Sequence, residues 1–401
     1  MTTTTDRSDA GTAAPDGPPG AAAASATPLA PARLPRRRTP DLARIGEPAR
    51  AAIDAGRLPS AVIGVSDAWG PLHLQALAGP ADRPTTASLY YLASITKTVT
   101  ATALMQLVDE ARLDLDAPLV GILPELAGGA RASVTARHIL THSSGLTDMP
   151  AERIAKDRPG WDRILALTVA QQPRWTPGSR FDYVTDPFVL LGEAIARRTG
   201  MPYAEAIATR VLRPLGMAES GFDARPMRGR LMPVHGLPMR NPLTREVMLR
   251  FAARSSMPGA GLFSTAEDLL RFGRALLPRR GQDGPRILSQ ARIDAMLTEQ
   301  TAAIPDVRAD GTVHTAHYAL GWGKRLGGTG DAPEDADAAD PPASPRAATH
   351  GGASGTRLVI DPDRELVFVF LSHTWFGDEE PAWRTWRRVV AAWDAEAAAA
   401  G

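Results

Sequence analysis

The chain has 401 residues, 44% of them hydrophobic, which is enough to bury the core of one large domain or two. Lysine and arginine number 45 against 44 acidic residues, so charge gives no reason to expect nucleic acid or an anionic membrane as partner. Cysteine is absent, which excludes disulfides, thiol catalysis and cysteine metal ligands.

The N-terminal segment is rich in Thr, Ala, Pro and Gly and ends in the basic run Arg36-Arg37-Arg38. A secretory signal places its charges before an apolar run, and the residues after Arg38 are not apolar. We therefore expect residues 1–39 to form a disordered tail on a cytoplasmic protein, with export by an unusual route left open. No stretch approaches the roughly 18 apolar residues of a membrane-spanning helix.

The ordered part begins near Pro40 with two strands, 61–66 and 72–77, which are joined at Trp69-Gly-Pro and predict a hairpin. A helix over residues 94–110 follows. Its four threonines are poor helix formers, so tertiary packing must hold it, as expected of a buried central helix.

Helical patterns continue through the middle of the chain. Further helices are predicted over residues 135–142, 161–172, 187–198 and 268–277. Asp186 is a plausible cap for the third of these, and Gly200 is placed to end it. Ser264 and Glu267 have the spacing of a capping box before the fourth.

The last part returns to strands, over residues 318–325, 356–360 and 365–371, and closes with a helix over 379–399. Residues 327–349 are acidic, with few bulky apolar side chains, and predict a disordered insertion between strands. Strands at both ends with helices between predict an α/β (α+β) fold, in which both chain ends form one sheet.

These elements predict one domain over residues 40–395. Its α/β part covers about 40–98 and 280–395, and its helical part covers about 99–279. The sequence contains no internal repeat.

Only three lysines stand against forty-two arginines, and one of them, Lys97, follows Ser94 by three residues. A desolvated lysine can lose its proton near neutral pH, whereas an arginine cannot. Residues three apart share a helix face, and a helix N-terminus favours a developing alkoxide. The pair is typical of an activated serine nucleophile, although the same spacing also occurs by chance on solvated helices.

Five segments in order carry a resemblance to one family. They are Ser94-Ile-Thr-Lys97, His138-Ile-Leu-Thr-His-Ser-Ser-Gly-Leu146, Pro177-Gly-Ser-Arg-Phe-Asp-Tyr183, Gly259-Ala-Gly-Leu-Phe-Ser-Thr-Ala-Glu-Asp268 and His350-Gly-Gly-Ala-Ser-Gly355. Together they resemble serine hydrolases of the class C β-lactamase fold: family VIII carboxylesterases, D-alanyl-D-alanine carboxypeptidases, D-aminopeptidases and β-lactamases. The resemblance spans roughly residues 45–395. It implies a β-lactamase/transpeptidase-like fold, an antiparallel sheet flanked by helices with an inserted all-α region, and leaves the substrate open.

The resemblance also implies catalytic roles. Ser94 matches the nucleophile, and Lys97 matches the amine that deprotonates it. Tyr183 matches the residue that passes the proton to the leaving group, a role that needs a nearby cation such as Lys97 to lower its pKa from about 10. The backbone N–H groups of Ser94 and Ala353 match the oxyanion hole.

His350, Gly351 and Gly352 match the family's third motif, where glycines allow a close approach of the substrate. Two positions depart from the family pattern. Thr185 stands where an asparagine is frequent, and His350, mostly neutral at pH 7, stands where β-lactamases have lysine. Both changes weaken the case for substrates with a free carboxylate, although some carboxypeptidases and D-aminopeptidases also have histidine there.

Two roles are open for each of four other side chains. Trp322 and Tyr318 either line an acyl pocket or belong to the core. His138 and His142 have a spacing that can hold zinc, but no Glu lies between them and their segment matches a structural motif of the family. We therefore expect no metal site and no organic cofactor.

The sequence thus predicts a serine hydrolase that forms an acyl-enzyme on Ser94 and acts on a small-molecule ester or amide. A carboxylesterase for small or medium esters is preferred. The alternatives are a D-amino-acid-specific peptidase (a DD-carboxypeptidase or D-aminopeptidase) or a weak β-lactamase. A catalytically idle homologue that binds acylated ligands is a further alternative, against which the intact Ser94, Lys97 and Tyr183 argue.

Overall fold

The computed structural model describes residues 39–237, 240–278, 285–324 and 344–400. The helices are α1 Glu47–Asp54, α2 Thr96–Asp109, α3 Ala136–Leu140, α4 Ala151–Asp157, α5 Trp161–Val169, α6 Phe188–Thr199, α7 Tyr203–Ile207, α8 Pro242–Ser255, α9 Ala266–Ala275, α10 Gln290–Leu297 and α11 Glu380–Ala400. The strands are β1 Ala61–Asp67, β2 Pro71–Leu77, β3 Tyr90–Tyr91, β4 Phe263–Ser264, β5 Pro305–Val307, β6 Val313–Thr315, β7 Ala348–Gly352, β8 Thr356–Asp361 and β9 Leu366–Leu371.

Described strands from both ends of the chain form one antiparallel sheet in the order β2-β1-β9-β8-β7. The hairpin of β1 and β2 pairs Ala61 with Leu77. Strand β1 also pairs with β9, where Val62 lies opposite Leu371. The predicted sheet built from the two ends of the chain is therefore confirmed, as is the predicted hairpin of β1 and β2.

The sheet separates two apolar cores, because neighbouring side chains of a strand point to opposite faces. On one face, Val65 and Phe368 pack with side chains of α1 and α11, among them Trp386. On the other face, Val62 and Val369 belong to a larger core that includes α2, α6 and α9. This larger core takes residues from both the predicted helical part and the predicted α/β part, which lie in one compact unit.

Helix α2 runs through the larger core, and its residues 96–107 are all buried. The buried threonine hydroxyls find acceptors on the backbone. Thr98 Oγ1 donates to the Ile95 carbonyl at 2.8 Å, and Thr100 Oγ1 donates to the Pro258 carbonyl at 2.7 Å. These bonds satisfy polar groups that would otherwise destabilise a buried helix, and the prediction of a buried central helix is confirmed.

Three local predictions differ from the structure. Residues 318–324 form a tight turn rather than a strand, because Gly321 has a φ of 77° and Tyr318 bridges directly to Gly323. Asp186 does not cap α6, since its carboxylate accepts the Met149 N–H at 2.6 Å. The cap of α9 lies one residue later than predicted, at Thr265.

The predicted tail and insertion fall mainly outside the described residues. Their disorder therefore stays a prediction. One boundary is corrected: β7 begins at Ala348, inside the predicted insertion 327–349. Ala348 and Thr349 are small residues that resemble the preceding low-complexity stretch, yet they are buried and pair with β8. Within the described ranges, no helix has the length and apolarity needed to cross a membrane.

Candidate active site

Ser94 lies in a sharp turn between β3 and α2. Residues Ala93–Ile95 form one turn of 3-10 helix that leads directly into α2. Ala93 has a φ of 46°, a left-handed conformation that is strained for a residue with a side chain. Strained backbone of this kind is often found at functional sites, and here it precedes a serine on the wall of the main cleft.

Lys97 is fully buried one helical turn after Ser94. Its Nζ lies 3.1 Å from Ser94 Oγ, 3.0 Å from Thr185 Oγ1 and 2.9 Å from the Gly259 carbonyl oxygen. A neutral amine has two N–H donors and one lone pair. Thr185 and Gly259 can accept the two N–H bonds, which leaves the lone pair for the hydroxyl proton of Ser94.

Burial lowers the pKa of Lys97 to about 7, since a charged amine is poorly solvated inside the protein. The carboxylates of Asp148 and Asp186 oppose this shift from a distance. Asp148 Oδ1 is held in place by the backbone N–H groups of Thr185 and Asp186, at 2.6 and 2.7 Å. A large fraction of Lys97 is therefore neutral near pH 7 and able to accept a proton.

Tyr183 lines the cleft together with Ser94, and its ring centroid lies 4.9 Å from Lys97 Nζ. Burial raises the pKa of the Tyr183 phenol, and a hydrogen bond with Ser94 opposes this rise. Because 43% of the side chain is exposed to the cleft, solvent moderates the shift. The sequence predicted that Lys97 would lower the pKa of Tyr183, and no such lowering is found. Burial favours the neutral form of both side chains, so Tyr183 keeps its proton at pH 7 and can donate it.

His350 is buried on β7, and both ring nitrogens have partners. Nδ1 lies 2.8 Å from the Gly351 carbonyl oxygen, so it carries the proton and donates to that oxygen. Nε2 then accepts the hydroxyl of Tyr318 at 2.8 Å. Burial, with a smaller contribution from the nearby Lys97, lowers the pKa of His350 to about 3. The side chain is neutral at pH 7 and offers no positive charge to a substrate.

The end of β7 is fastened to the turn that carries Ser94. Ser354 Oγ donates to the Tyr91 carbonyl at 2.6 Å, and Thr356 Oγ1 donates to the Leu92 carbonyl at 3.1 Å. Gly352 permits this approach, because a Cβ on it would stand 2.1 Å from the Leu92 oxygen. Ala353 follows at once and lines the same cleft as Ser94. Two backbone segments thus face one reaction centre.

The cleft has a volume of about 610 Å³. The charged side chains on its wall are paired with each other. Arg308 lies 3.2 Å from Asp306, and Arg357 lies 2.5 Å from Glu379. Five aromatic side chains also line the wall: Phe181, Tyr183, Tyr318, Phe376 and Trp383.

Most of the residues predicted for the site come together here, and one does not. Trp322 is fully buried and stacks on Phe272, with ring centroids 6.4 Å apart. Its assignment to substrate binding is wrong, because the turn at Gly321 directs the indole into the core. Tyr318, the other candidate, does line the cleft. Thr185 reaches the site through Lys97 rather than along the cleft wall.

The cleft wall includes side chains that the sequence did not indicate, among them Arg357 and Phe376. Arg357 lies opposite Gly351 in the hairpin of β7 and β8, so cross-strand pairing with the third motif could have indicated it. Its guanidinium packs on the Trp383 ring at 4.5 Å. Phe376 follows β9 and carries no motif signal.

His138 and His142, whose spacing can hold zinc, make other contacts in the structure. His138 Nδ1 accepts the Thr135 N–H at 3.2 Å and caps α3. His142 is buried against Tyr183, with ring centroids 4.3 Å apart.

A separate His and Asp cluster does have metal-ligand spacing, with ligand atoms of Asp82, His235 and His373 within 4.8 Å of one another. Arg240 Nη2 lies 3.0 Å from Asp82 and 2.8 Å from His235, in the position that a cation would take. His373 Nε2 accepts the Ser60 hydroxyl at 2.7 Å. We describe this cluster as an ion-pair network.

Comparison with known proteins agrees with this geometry. The family model described as Beta-lactamase matches residues 47–392. Esterase EstB of Burkholderia gladioli is 30% identical over 322 residues, which are 72% of this chain and 78% of that protein. The D-alanyl-D-alanine-carboxypeptidase/endopeptidase AmpH of Escherichia coli (strain K12) is 26% identical over 211 residues, which are 47% of this chain and 49% of that protein.

A solved structure of a family VIII carboxylesterase shares the fold, with a TM-score of 0.69 at 19% identity and coverage of 87% of this chain and 97% of that chain. The predicted β-lactamase/transpeptidase-like fold is therefore confirmed. The family match extends over most of the chain and contains Ser94, Lys97, Tyr183 and His350. The chain belongs to the Beta-lactamase family and is a serine hydrolase of that superfamily.

Proposed function

We propose that the protein is a carboxylesterase that forms an acyl-enzyme on Ser94. The observation that carries this proposal is the buried Lys97, whose amine contacts Ser94 and whose pKa is lowered to about 7. A buried neutral amine beside a serine hydroxyl is suited to general-base activation of a nucleophile.

In the proposed first step, Lys97 Nζ accepts the proton of Ser94 and the freed Oγ bonds to the ester carbonyl carbon. The carbonyl oxygen becomes an oxyanion, which the backbone N–H groups of Ser94 and Ala353 stabilise. When the carbon–oxygen bond to the alcohol breaks, Tyr183 donates its proton to the leaving oxygen. Lys97 Nζ, 4.9 Å from the Tyr183 ring centroid, then gives its proton to the Tyr183 phenolate, so that both groups recover their starting states.

In the second step a water molecule replaces the alcohol, following the same proton route in reverse. Tyr183 passes its phenolic proton to Lys97 and takes one from the water, whose oxygen bonds to the acyl carbon. The bond to Ser94 Oγ then breaks, Lys97 gives its proton to Oγ, and the carboxylic acid leaves.

An uncharged ester fits the cleft better than a substrate with a free carboxylate. His350 is neutral and both of its nitrogens have partners in the protein. Arg308 and Arg357 are each paired with a carboxylate. A substrate carboxylate would have to displace one of these partners, which removes most of the electrostatic gain.

This reasoning predicts a substrate preference. We expect kcat/KM for p-nitrophenyl acetate to exceed that for nitrocefin by at least about tenfold, or about 1.4 kcal/mol. Parallel steady-state assays with one enzyme preparation measure it. A D-alanyl-D-alanine peptide serves as the third substrate, because the relative AmpH is named a D-alanyl-D-alanine-carboxypeptidase/endopeptidase. Nitrocefin or peptide hydrolysis that equals ester hydrolysis would contradict the esterase assignment in favour of the lactamase or peptidase.

A fluorophosphonate probe separates an enzyme from an idle acyl-binding homologue. We expect covalent labelling at Ser94, identified by mass spectrometry, and none in Ser94→Ala. The absence of labelling in the wild-type protein would favour the idle homologue.

The proposed base also predicts a pH dependence. Because protonated Lys97 cannot accept the Ser94 proton, kcat/KM should fall roughly tenfold per pH unit below the Lys97 pKa, which is about 7. Burial lowers the pKa values of His142 and His350, so these rings stay neutral and do not contribute to this acid limb, the fall of kcat/KM at low pH. Rates on p-nitrophenyl acetate between about pH 5 and pH 9 measure the limb.

Asp148→Asn provides the matched variant. The amide oxygen can still accept the N–H groups of Thr185 and Asp186, while the negative charge that raises the Lys97 pKa is removed. The acid limb should move to lower pH in this variant. A limb that stays at the same pH would assign the titration to a group other than Lys97.

A further inference from the structure

The connection between β9 and α11 carries a phenylalanine at the rim of the cleft. Phe376 is 79% exposed, the highest value among the large hydrophobic side chains that the structure describes as exposed. It lines the cleft together with Ser94 and Ala353. A single exposed apolar side chain is common on protein surfaces and needs no function by itself, so its position beside the reaction centre is only the first observation.

The backbone of the same residue is strained. Phe376 has a φ of 48°, in the left-handed region that is unfavourable for a bulky side chain. The next residue is Gly377, which could adopt that conformation freely but does not have a positive φ. The chain therefore places a phenylalanine, and not the adjacent glycine, where glycine is favoured. Strain that persists in this way points to a role for the side chain.

Two backbone hydrogen bonds and one aromatic contact position this segment. The Phe376 N–H donates to the Ala353 carbonyl at 2.7 Å, and the Trp375 N–H donates to the His235 carbonyl at 2.9 Å. The Trp375 ring meets the Phe376 ring edge to face, with centroids 5.2 Å apart. Phe376 is thus tied to the residue whose N–H is proposed for the oxyanion hole.

We propose that Phe376 covers the acyl chain of the substrate and selects esters of acids with longer apolar chains. The inference rests on the proposed function, in which the alcohol leaves beside Tyr183. The acyl chain, bonded to the same carbon, then extends away from Tyr183 along the Ala353 side of the cleft. There Phe376 and Trp383 offer apolar surface, and the charge of Arg357 is paired with Glu379.

The test compares p-nitrophenyl hexanoate with p-nitrophenyl acetate in Phe376→Ala. We expect kcat/KM for the hexanoate to fall about tenfold, because the contact with the longer chain is lost, while the acetate value changes by less than about twofold. Phe376→Gly should lose the same selectivity and melt at the same or a higher temperature, since glycine fits a φ of 48°. Phe376→Tyr keeps the ring and should keep the preference for hexanoate.

Leu243→Ala is the matched control, because Leu243 is 76% exposed on α8 and does not line the cleft. Its hexanoate-to-acetate ratio should equal that of the wild type. A wild-type enzyme that hydrolyses neither ester contradicts the proposed function. If the wild type hydrolyses both and folded Phe376→Ala and Phe376→Gly keep its ratio, Phe376 is not a specificity residue. An equal loss on both esters would also overturn the proposal, since it indicates support of Ala353 alone.

Discussion

Lys97→Arg should reduce kcat by roughly 10²–10⁴, the usual contribution of a positioned base. The substitution keeps the positive charge, so an ion pair of purely structural value would survive it. A guanidinium stays protonated at any accessible pH and cannot accept the Ser94 proton. Ser94→Ala should be about as inactive, and the double variant should lose little more, since parts of one proton-transfer unit are not additive.

Lys324→Arg is the matched control for this prediction. Lys324 is partly buried, and its pKa, like that of Lys97, is lowered. Its Nζ donates to the carbonyls of Pro345 and Ala347 at 3.0 and 2.7 Å. An arginine can make equivalent bonds, so activity should persist. Circular dichroism and the melting temperature verify that both variants fold. If Lys97→Arg retained more than about a tenth of the wild-type kcat, lysine would not be the base, and Tyr183 would have to carry that role alone.

Gly352→Ala should damage both the activity and the stability. Its Cβ would stand 2.1 Å from the Leu92 oxygen and 2.3 Å from Thr356 Oγ1, and the first of these is backbone that cannot rotate away. We expect the free energy of unfolding to fall by about 1–3 kcal/mol. Because the clash separates β7 from the Ser94 turn, the oxyanion-hole donors move apart and kcat should fall by about 10²–10³.

Gly323→Ala provides the comparison, since Gly323 lines the same cleft and a Cβ there would meet its neighbours at 3.4 Å or more. It should fold and react close to wild type. Thermal unfolding and p-nitrophenyl acetate turnover measure both quantities. Near wild-type kcat in Gly352→Ala would show that the approach of β7 to Leu92 is unimportant for catalysis.

The fold and the centre of the site could be predicted because both depend on local signals. Short, largely apolar runs bounded by turn residues located β1, β8 and β9, and ordered motifs located Ser94, Lys97 and Tyr183. The protonation state of Lys97 could not be predicted in the same way. Its neutral state depends on complete burial and on contacts with Thr185 and Gly259, residues distant in the chain.

Other features depend on three-dimensional register and could not be predicted from single residues. Arg357 joins the cleft only because β8 pairs with β7 so that it faces Gly351. Trp322 is turned into the core by the left-handed Gly321, although its sequence position equally favoured the cleft. The internal pairing of His350 with Tyr318 likewise arises from a turn that the strand pattern did not indicate.

The pairing of β1 with β9 has a consequence for biosynthesis. Strand β1 precedes β9 by most of the described sequence, so Val62 is made long before its partner Leu371. Until β7, β8 and β9 emerge, the hairpin of β1 and β2 lacks its neighbour β9, and the Ser94 turn lacks the Ser354 and Thr356 hydrogen bonds that fasten it. Contacts so distant in sequence form slowly and expose apolar surface meanwhile. The nascent chain therefore carries Ser94 and Lys97 without the completed site until the strands from the distant part of the chain have been made.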